Sequence, residues 1–576
     1  MEHGFDSRSR YKKGYGFTRD TVSFFVLHAL FALWRALLRR KKYIFALGYG
    51  GCGNILAFEH TLDKGKHRHN AMMLRTLRIV LAVIFFSAIT ALFLDFTGAI
   101  HGWFAWMAKA QFLPALLALN AGVVLGLVLL TLVFGRIYCS VICPLGVMQD
   151  IFAWFGKKSL RNRYTYSAAK HWLRYGMLVI FILSLSLGTG ILARLIAPYS
   201  TYGRIAGSLL APIWYCINNG LAYLAERMDS YMFYETDVWL RSGLTLSVAV
   251  VTLLLLAVLA WRNGRTYCNT ICPVGTVLGF FARFSWFKPI IDTSKCVDCG
   301  LCAKNCKASC IDLSQHVVDY SRCVTCMDCI SKCRRGAIRY EGKTPWKRAK
   351  DTADATLATA GKKQSEVSSA RRAFLTSSAT LVAAGVVRAQ KMKVDGGLAI
   401  IEDKLAPRRK TPILPAGSVS SQNFAQHCTA CQLCVSACPN GVLRPSSDLS
   451  RFMQPEMSYE RGYCRPECTR CSEVCPAGPI KPITREEKSS IQIGHAVWRG
   501  RNCIPVRDGQ LCGNCERHCP TGAIQMVPLK KDKTGRLKIP VVNTERCIGC
   551  GACENLCPAR PFSAIHVEGH EIHRVI

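Results

Sequence analysis

Four stretches of the chain are apolar on every side, without the one-sided stripe of a soluble helix: Ile79 to Ile100, Phe112 to Phe134, Tyr175 to Ala193 and Ser242 to Trp261. A helix of about 20 such residues matches the hydrocarbon thickness of a bilayer. The last three contain no charge, and Asp95 interrupts the first. The pattern predicts an α-helical membrane fold, a four-helix transmembrane unit over 72–290. The loop after the second stretch carries Arg136, Lys157, Lys158, Arg161, Arg163, Lys170 and Arg174, whereas the loop after the first has only Lys109. Positive loops stay in the cytoplasm, so both ends of the unit are expected there. Upstream, in region 1–71, Val22 to Trp34 is apolar but short and runs into Arg35, Arg39, Arg40, Lys41 and Lys42, the pattern of an interfacial helix.

The unit is internally duplicated. Gly135-Arg136-Ile137-Tyr138-Cys139 through Cys143-Pro144-Leu145-Gly146 returns as Gly264-Arg265-Thr266-Tyr267-Cys268 through Cys272-Pro273-Val274-Gly275. Each copy follows an even-numbered span, which implies a duplicated helix pair. Cys139, Cys143, Cys268 and Cys272 are candidates for a further metal or redox site. The plainer alternative is that they cap helix ends.

The chain has 31 cysteines among 576 residues, too sparse for a disulfide-stapled scaffold, and 24 of them fall into six groups of four. Cys296, Cys299, Cys302, Cys306 and Cys323, Cys326, Cys329, Cys333 read C-x2-C-x2-C-x3-C, as do Cys428, Cys431, Cys434, Cys438 and Cys547, Cys550, Cys553, Cys557. Cys464, Cys468, Cys471, Cys475 and Cys503, Cys512, Cys515, Cys519 are variants of it. In two-cluster ferredoxins the fourth cysteine of one run ligates the partner's cluster. Six [4Fe-4S] clusters in α+β ferredoxin-like modules are therefore expected, one module over 291–340 and a four-cluster domain over 390–576. Zinc ribbons fit poorly, because they take cysteines as two separated pairs. Central closure reads as Cys333 with the first trio and Cys306 with the second; in the C-terminal set the matching spacings favour outer motif with outer and inner with inner. Proline follows all four C-terminal groups, but Lys307 and Arg334 stand there in the central pair.

Formal net charge is +37. The basic residues flank the apolar stretches and fill a linker, so topology accounts for them better than nucleic-acid binding does. That linker, 341–370, is rich in Lys, Thr, Ala, Ser and Gly. Arg371-Arg372-Ala373-Phe374-Leu375 and the weakly apolar run to Ala389 then resemble a twin-arginine (Tat) export signal, with Ala370 and Thr376 departing from the usual residues. Export would put the C-terminal domain outside while the central module stays inside.

Asp95 and His101 form a candidate quinol site, since an ionisable group at membrane depth is by default functional and histidine titrates in the right range. Marking the outer interface is their bland role. Tyr199, Arg204, Asn218 and Asn219, in the outer segment from Pro198 to Arg241, are further candidate lining. Cys52, Cys216 and Cys310 lie outside the groups, and His427 and His518 adjoin ligand cysteines.

On these motifs Met72 to Tyr340 resembles NapH, the membrane component of the periplasmic nitrate reductase system, and Arg371 to Ile576 resembles NapG, its ferredoxin-type partner. The resemblance implies a NapH-NapG fusion in a bacterial inner membrane. It would act as a quinol dehydrogenase, drawing electrons from ubiquinol or menaquinol and passing them through periplasmic cytochrome c to a terminal reductase. Two competitors are a membrane copper reductase serving oxidase assembly and a non-catalytic docking subunit. The copper reductase family shares the C-x3-C-P helices and a two-cluster ferredoxin but lacks the C-terminal domain.

Overall fold

The structure is a computed structural model that describes residues 55–159, 164–188, 190–342, 394–395, 399–400, 402–530 and 535–576. The interfacial helix expected at Val22 to Trp34, the linker 341–370 beyond Gly342 and the twin-arginine segment 371–389 lie outside these residues.

Four helices carry the apolar stretches: α1 (Ile55–Leu94), α2 (Ala121–Phe134), α3 (His171–Ser186) and α4 (Gly243–Asn263). Two of the expected spans come out shorter. Phe112 to Phe134 is broken after Leu117, where Leu119 takes a left-handed backbone and Asn120 caps α2 by accepting the Val123 amide at 3.3 Å. α3 stops at Ser186, because Gly188 and Gly190 turn the chain with φ of 70° and 53° into a separate helix, Ile191–Ile196. By length and composition, two segments are able to cross a membrane, Met72–Leu94 and Gly243–Asn263. Apolar side chains such as Leu125, Leu129, Ile180, Leu183, Val251 and Leu254 nevertheless point outward from α2, α3 and α4 and leave a wide greasy surface.

The expected outer segment is helical through Pro198–Ile205, a π-helical turn Ala206–Leu210 and Ala211–Glu226. The returning chain is pinned to it by amide side chains. Asn218 donates to the Tyr234 carbonyl at 2.9 Å, and Asn219 exchanges hydrogen bonds with the Thr236 amide and carbonyl.

The two ferredoxin parts sit at opposite ends of this helical unit. The central module closes with an antiparallel pair, Phe287–Ile291 against Ile338–Gly342, Ile291 opposite Ile338. It is riveted on by a buried ion network. Asp150 accepts from Arg265 at 2.8 Å and Arg78 at 3.0 Å and lies 3.4 Å from Lys307; Lys307 reaches Asp328 at 3.0 Å, which also accepts from Arg75. Lys307, where the four C-terminal motifs have proline, is thus a docking residue, and its carbonyl also accepts the Arg265 amide. From Arg78 to Asp95, α1 rises about 25 Å. At that far end the C-terminal domain shares one hydrophobic core with the helices, running from Ile89 and Phe93 through Tyr199 and Tyr202 to Phe424, Leu433 and Val567. Gly203 lies against the Cys431 carbonyl and the Phe93 ring, where no side chain would fit.

Candidate electron-transfer site

The four regular C-x2-C-x2-C loops have one backbone shape. The second and fourth residues after the first cysteine are left-handed in every case: Asp298 and Gly300, Thr325 and Met327, Ala430 and Gln432, Gly549 and Gly551. A β-branched Thr325 at φ 51° is costly on its own. Alternating hands turn successive amides toward one point, the concave nest that holds an anion such as an iron–sulfur cluster. Neither variant motif shares the pattern.

The thiols suit such a ligand. Burial pushes the Cys431, Cys515 and Cys550 thiols up to about 12, so a bound metal centre is what would keep them as thiolates. Amides already point at sulfur: Ala337 at Cys333, Ala523 at Cys519 and Ala564 at Cys557, at 3.2–3.3 Å.

Small cavities lined by thiols, together with the proximity of the thiols to one another, indicate the closures. Cys306 joins Cys323, Cys326 and Cys329, as the spacing predicts. In the C-terminal set, Cys475 joins Cys428, Cys431 and Cys434, and Cys438 joins Cys464, Cys468 and Cys471. Cys557 joins Cys503, Cys512 and Cys515, and Cys519 joins Cys547 and Cys550, with Cys553 lining the same small cavity. Neighbouring motifs therefore pair, first with second and third with fourth. The expectation of outer with outer is corrected: the two halves fold as consecutive units, the second around its own core of Ala496, Ile524 and Ile565.

The duplicated motif brings Cys139, Cys143, Cys268 and Cys272 together, all buried and all within electrostatic reach of one another. Its construction is two-fold. Gly135 and Gly264, at φ 74° and 67°, end α2 and α4. Arg136 then crosses to the Cys268 carbonyl at 3.1 Å, and Arg265 crosses to the Cys139 carbonyl at 2.6 Å. Gly146 and Gly275 sit where a Cβ would overlap the carbonyl oxygens of Cys139 and Cys268. Tyr138 donates to Gln111, and Tyr267 to the Ile196 carbonyl.

Among the described residues, no three of these thiols lie within 4.8 Å of one another, which is also true of the ferredoxin groups. One tetrahedral zinc with Zn–S of about 2.3 Å would hold them about 3.8 Å apart. The setting also calls for an anion. Arg136 is fully buried and bonds to Asn269, the Ser321 and Cys268 carbonyls and Cys139 Sγ, without a carboxylate partner among the described residues. A metal centre on four thiolates, which is anionic overall, suits the buried guanidinium.

Three groups of cysteines therefore follow one another along the unit. Arg136 touches Cys139 and faces Cys323 of the central module. On the other side Tyr267 faces Cys272 and bonds to Ile196, and three residues on Tyr199 faces Cys431 and Cys475.

Comparison with known proteins agrees with this anatomy. A family described as "4Fe-4S binding domain" matches residues 117–163 and 243–293, the two copies of the duplicated motif. A "4Fe-4S dicluster domain" matches 427–479 and 510–560, the two consecutive pairs. The methylamine utilization ferredoxin-type protein MauM of Methylophilus methylotrophus is 32% identical over 168 residues, 28% of this chain and 72% of MauM. The ferredoxin-type protein NapG of Escherichia coli (strain K12) is 31% identical over 186 residues, 29% of this chain and 77% of NapG. The chain belongs to the MauM and NapG family of ferredoxin-type proteins. NapF of the same organism is 27% identical over 180 residues, 31% of this chain and all of NapF. No solved structure matches. As a member of this family the chain is an iron–sulfur electron-transfer protein.

The remaining sequence candidates have defined places. Asp95 accepts the amides of Thr97, Gly98 and Ile100 and lies 3.0 Å from His101 Nδ1, tying the end of α1 to the next helix. Arg204 is buried against the Arg194 and Leu195 carbonyls. Cys310 lies 3.5 Å from Cys306, and Cys216 is exposed; Cys52 lies outside the described residues. His427 and His518 bond to carbonyls one turn back. Sequence reasoning passed over Gln111 and Asp150, which carry no motif. The repeated Gly-Arg pair did signal Arg136 and Arg265.

Proposed function

We propose that this protein is a membrane-bound quinol dehydrogenase, with the NapH-like and NapG-like parts in one polypeptide. One observation carries the reading: the C-terminal ferredoxin domain shares its core with the end of an apolar helical unit. One-electron carriers thereby meet the edge of a lipid phase where a two-electron lipophilic donor resides. The outward-facing leucines, isoleucines and valines of α2, α3 and α4 support a four-span unit whose shorter members are completed by Phe112–Leu117 and Ile191–Ile196. The positive loops favour the central module inside and the C-terminal domain outside.

Bound at the six motifs, [4Fe-4S] clusters supply one-electron storage. The chain's own residues hold each cluster by four thiolates, turn backbone amides toward it and exclude water. The four repeat cysteines join the inner clusters to the outer ones across the helical unit. Electrons leave from the C-terminal domain to a periplasmic cytochrome c and a terminal reductase; the relatives' names, NapG and MauM, leave the nitrate and methylamine systems as its two settings. A copper reductase has no need of residues 390–576.

The test is anaerobic addition of ubiquinol or menaquinol analogues to purified protein while cluster absorption is followed. Bleaching is expected. If excess quinol leaves every cluster oxidised while dithionite reduces them, the dehydrogenase reading fails.

A further inference from the structure

A cavity of about 600 Å³ lies where the outer helical segment, the start of α4 and the C-terminal domain meet. Three polar atoms in its wall are buried and have no hydrogen-bond partner: Thr245 Oγ1, Gln432 Nε2 and Ser436 Oγ. Their residues are 2%, 4% and 3% exposed. Orphaned groups of this kind are destabilising unless a ligand satisfies them. They come from two parts of the fold, Thr245 from the first turn of α4 and the other two from the ferredoxin side.

We propose that this cavity is the quinol site. The inference takes its ligand class from the dehydrogenase reading and adds the place and the binding residues. A quinol ring carries one oxygen at each end, and the cavity is lined by hydrogen-bonding residues from two separate parts of the fold, α4 and the ferredoxin domain. Gln432 lies between Cys431 and Cys434, Ser436 lies between Cys434 and Cys438, and Cys438 itself lines the space. A ring held there therefore borders both clusters of the first C-terminal pair. The lipid tail has a track, since Ile213, Ile217, Leu240 and Leu244 are exposed apolar residues beside the mouth. Asn218 and Asn219 fix the wall from Tyr234 to Thr236, so the site is built before the ligand arrives.

Oxidation balances as follows. The quinol breaks two O–H bonds, releases two protons and two electrons and leaves as quinone. The electrons go singly to the two oxidised clusters that border the ring. The protons leave by the mouth, where Glu235 and Asp237 are exposed. Asp95 and His101 take a supporting place in this arrangement: Phe96, next to Asp95, lines the cavity, while Asp95 itself is bound to backbone amides.

The experiment uses full-length holoprotein in detergent, an azidoquinone photolabel and quinol-reduction kinetics. Label is expected within 207–245 and 432–465. Thr245→Val alone, which lies on α4 outside the cluster loops, and the pair Thr245→Val with Ser436→Ala should lower labelling and raise KM for quinol by about fivefold and more than tenfold. Unchanged iron content and dithionite-reducible absorption show that the variants are folded. If the wild type is reduced by quinol but the label maps elsewhere and both variants keep the wild-type KM, the site is overturned and the dehydrogenase reading stands. If label enters the cavity while quinol reduces no cluster, the binding site stands and the oxidation is overturned.

Discussion

Asp150 is the hinge of the inner ion network, and Asp150→Asn tests it. The substitution keeps the volume and removes the charge. Burial alone would raise this carboxyl, but Arg265, Lys307 and Arg78 overcome it and hold it far below the usual carboxylate range. Lys307 keeps Asp328 at 3.0 Å, so the loss falls on Arg265, which is fully buried, and on Arg78. Breaking a buried pair from one side costs about 3–5 kcal/mol. For a unit of about 200 residues that corresponds to a fall of roughly 10 °C in the apparent melting temperature. The assay is loss of cluster absorption on heating in detergent, at one fixed scan rate because unfolding is irreversible. Arg265→Met should lower the melting temperature alone but recover part of the loss when combined with Asp150→Asn, since the double variant removes both charges. A folded pKa below the unfolded value means that the contribution is complete above about pH 4 and is lost only below it. Melting of Asp150→Asn within 1 °C of wild type, or no coupling with Arg265, would refute the account.

Other outcomes follow from the same geometry. Gly146→Ala and Gly275→Ala should each cost more than about 2 kcal/mol and reduce iron content, because the added Cβ overlaps a cysteine carbonyl oxygen that cannot retreat. Anaerobically prepared protein should hold roughly 24 iron atoms from the six motifs and more if the four repeat thiols are loaded; Cys143→Ser with Cys272→Ser should remove only that excess in a metal analysis. Burial and then His570 hold His573 down at about 4. Between about 4 and its unfolded value near 6.5, the unfolded chain binds the extra proton, so stability falls as pH drops through that window. His573→Phe should flatten that acid limb in pH-dependent thermal melts.

The sequence exposes chemistry more readily than arrangement. Cysteine spacing singles out the candidate ligands because a cluster takes three of its four from one tight loop, and the repeat marks Cys139, Cys143, Cys268 and Cys272 because each copy is local. Closure between motifs was misread in the C-terminal domain: which fourth cysteine arrives depends on how loops pack, and similar spacing does not measure proximity. Span lengths were overestimated for a related reason. A hydropathy run does not reveal the left-handed turn at Leu119 or those at Gly188 and Gly190. Thr245, Gln432 and Ser436 are ordinary residues in sequence and acquire meaning only through a cavity assembled from segments nearly 200 residues apart.

The crossing of Arg136 and Arg265 has an ancestral corollary. Each half of the duplicated unit borrows the other's guanidinium to close its cysteine turn, so neither half satisfies itself. A forerunner with a single copy would have had to work as a symmetric pair of subunits, trading arginines across a two-fold axis. Carrying both copies in one chain makes that exchange intramolecular.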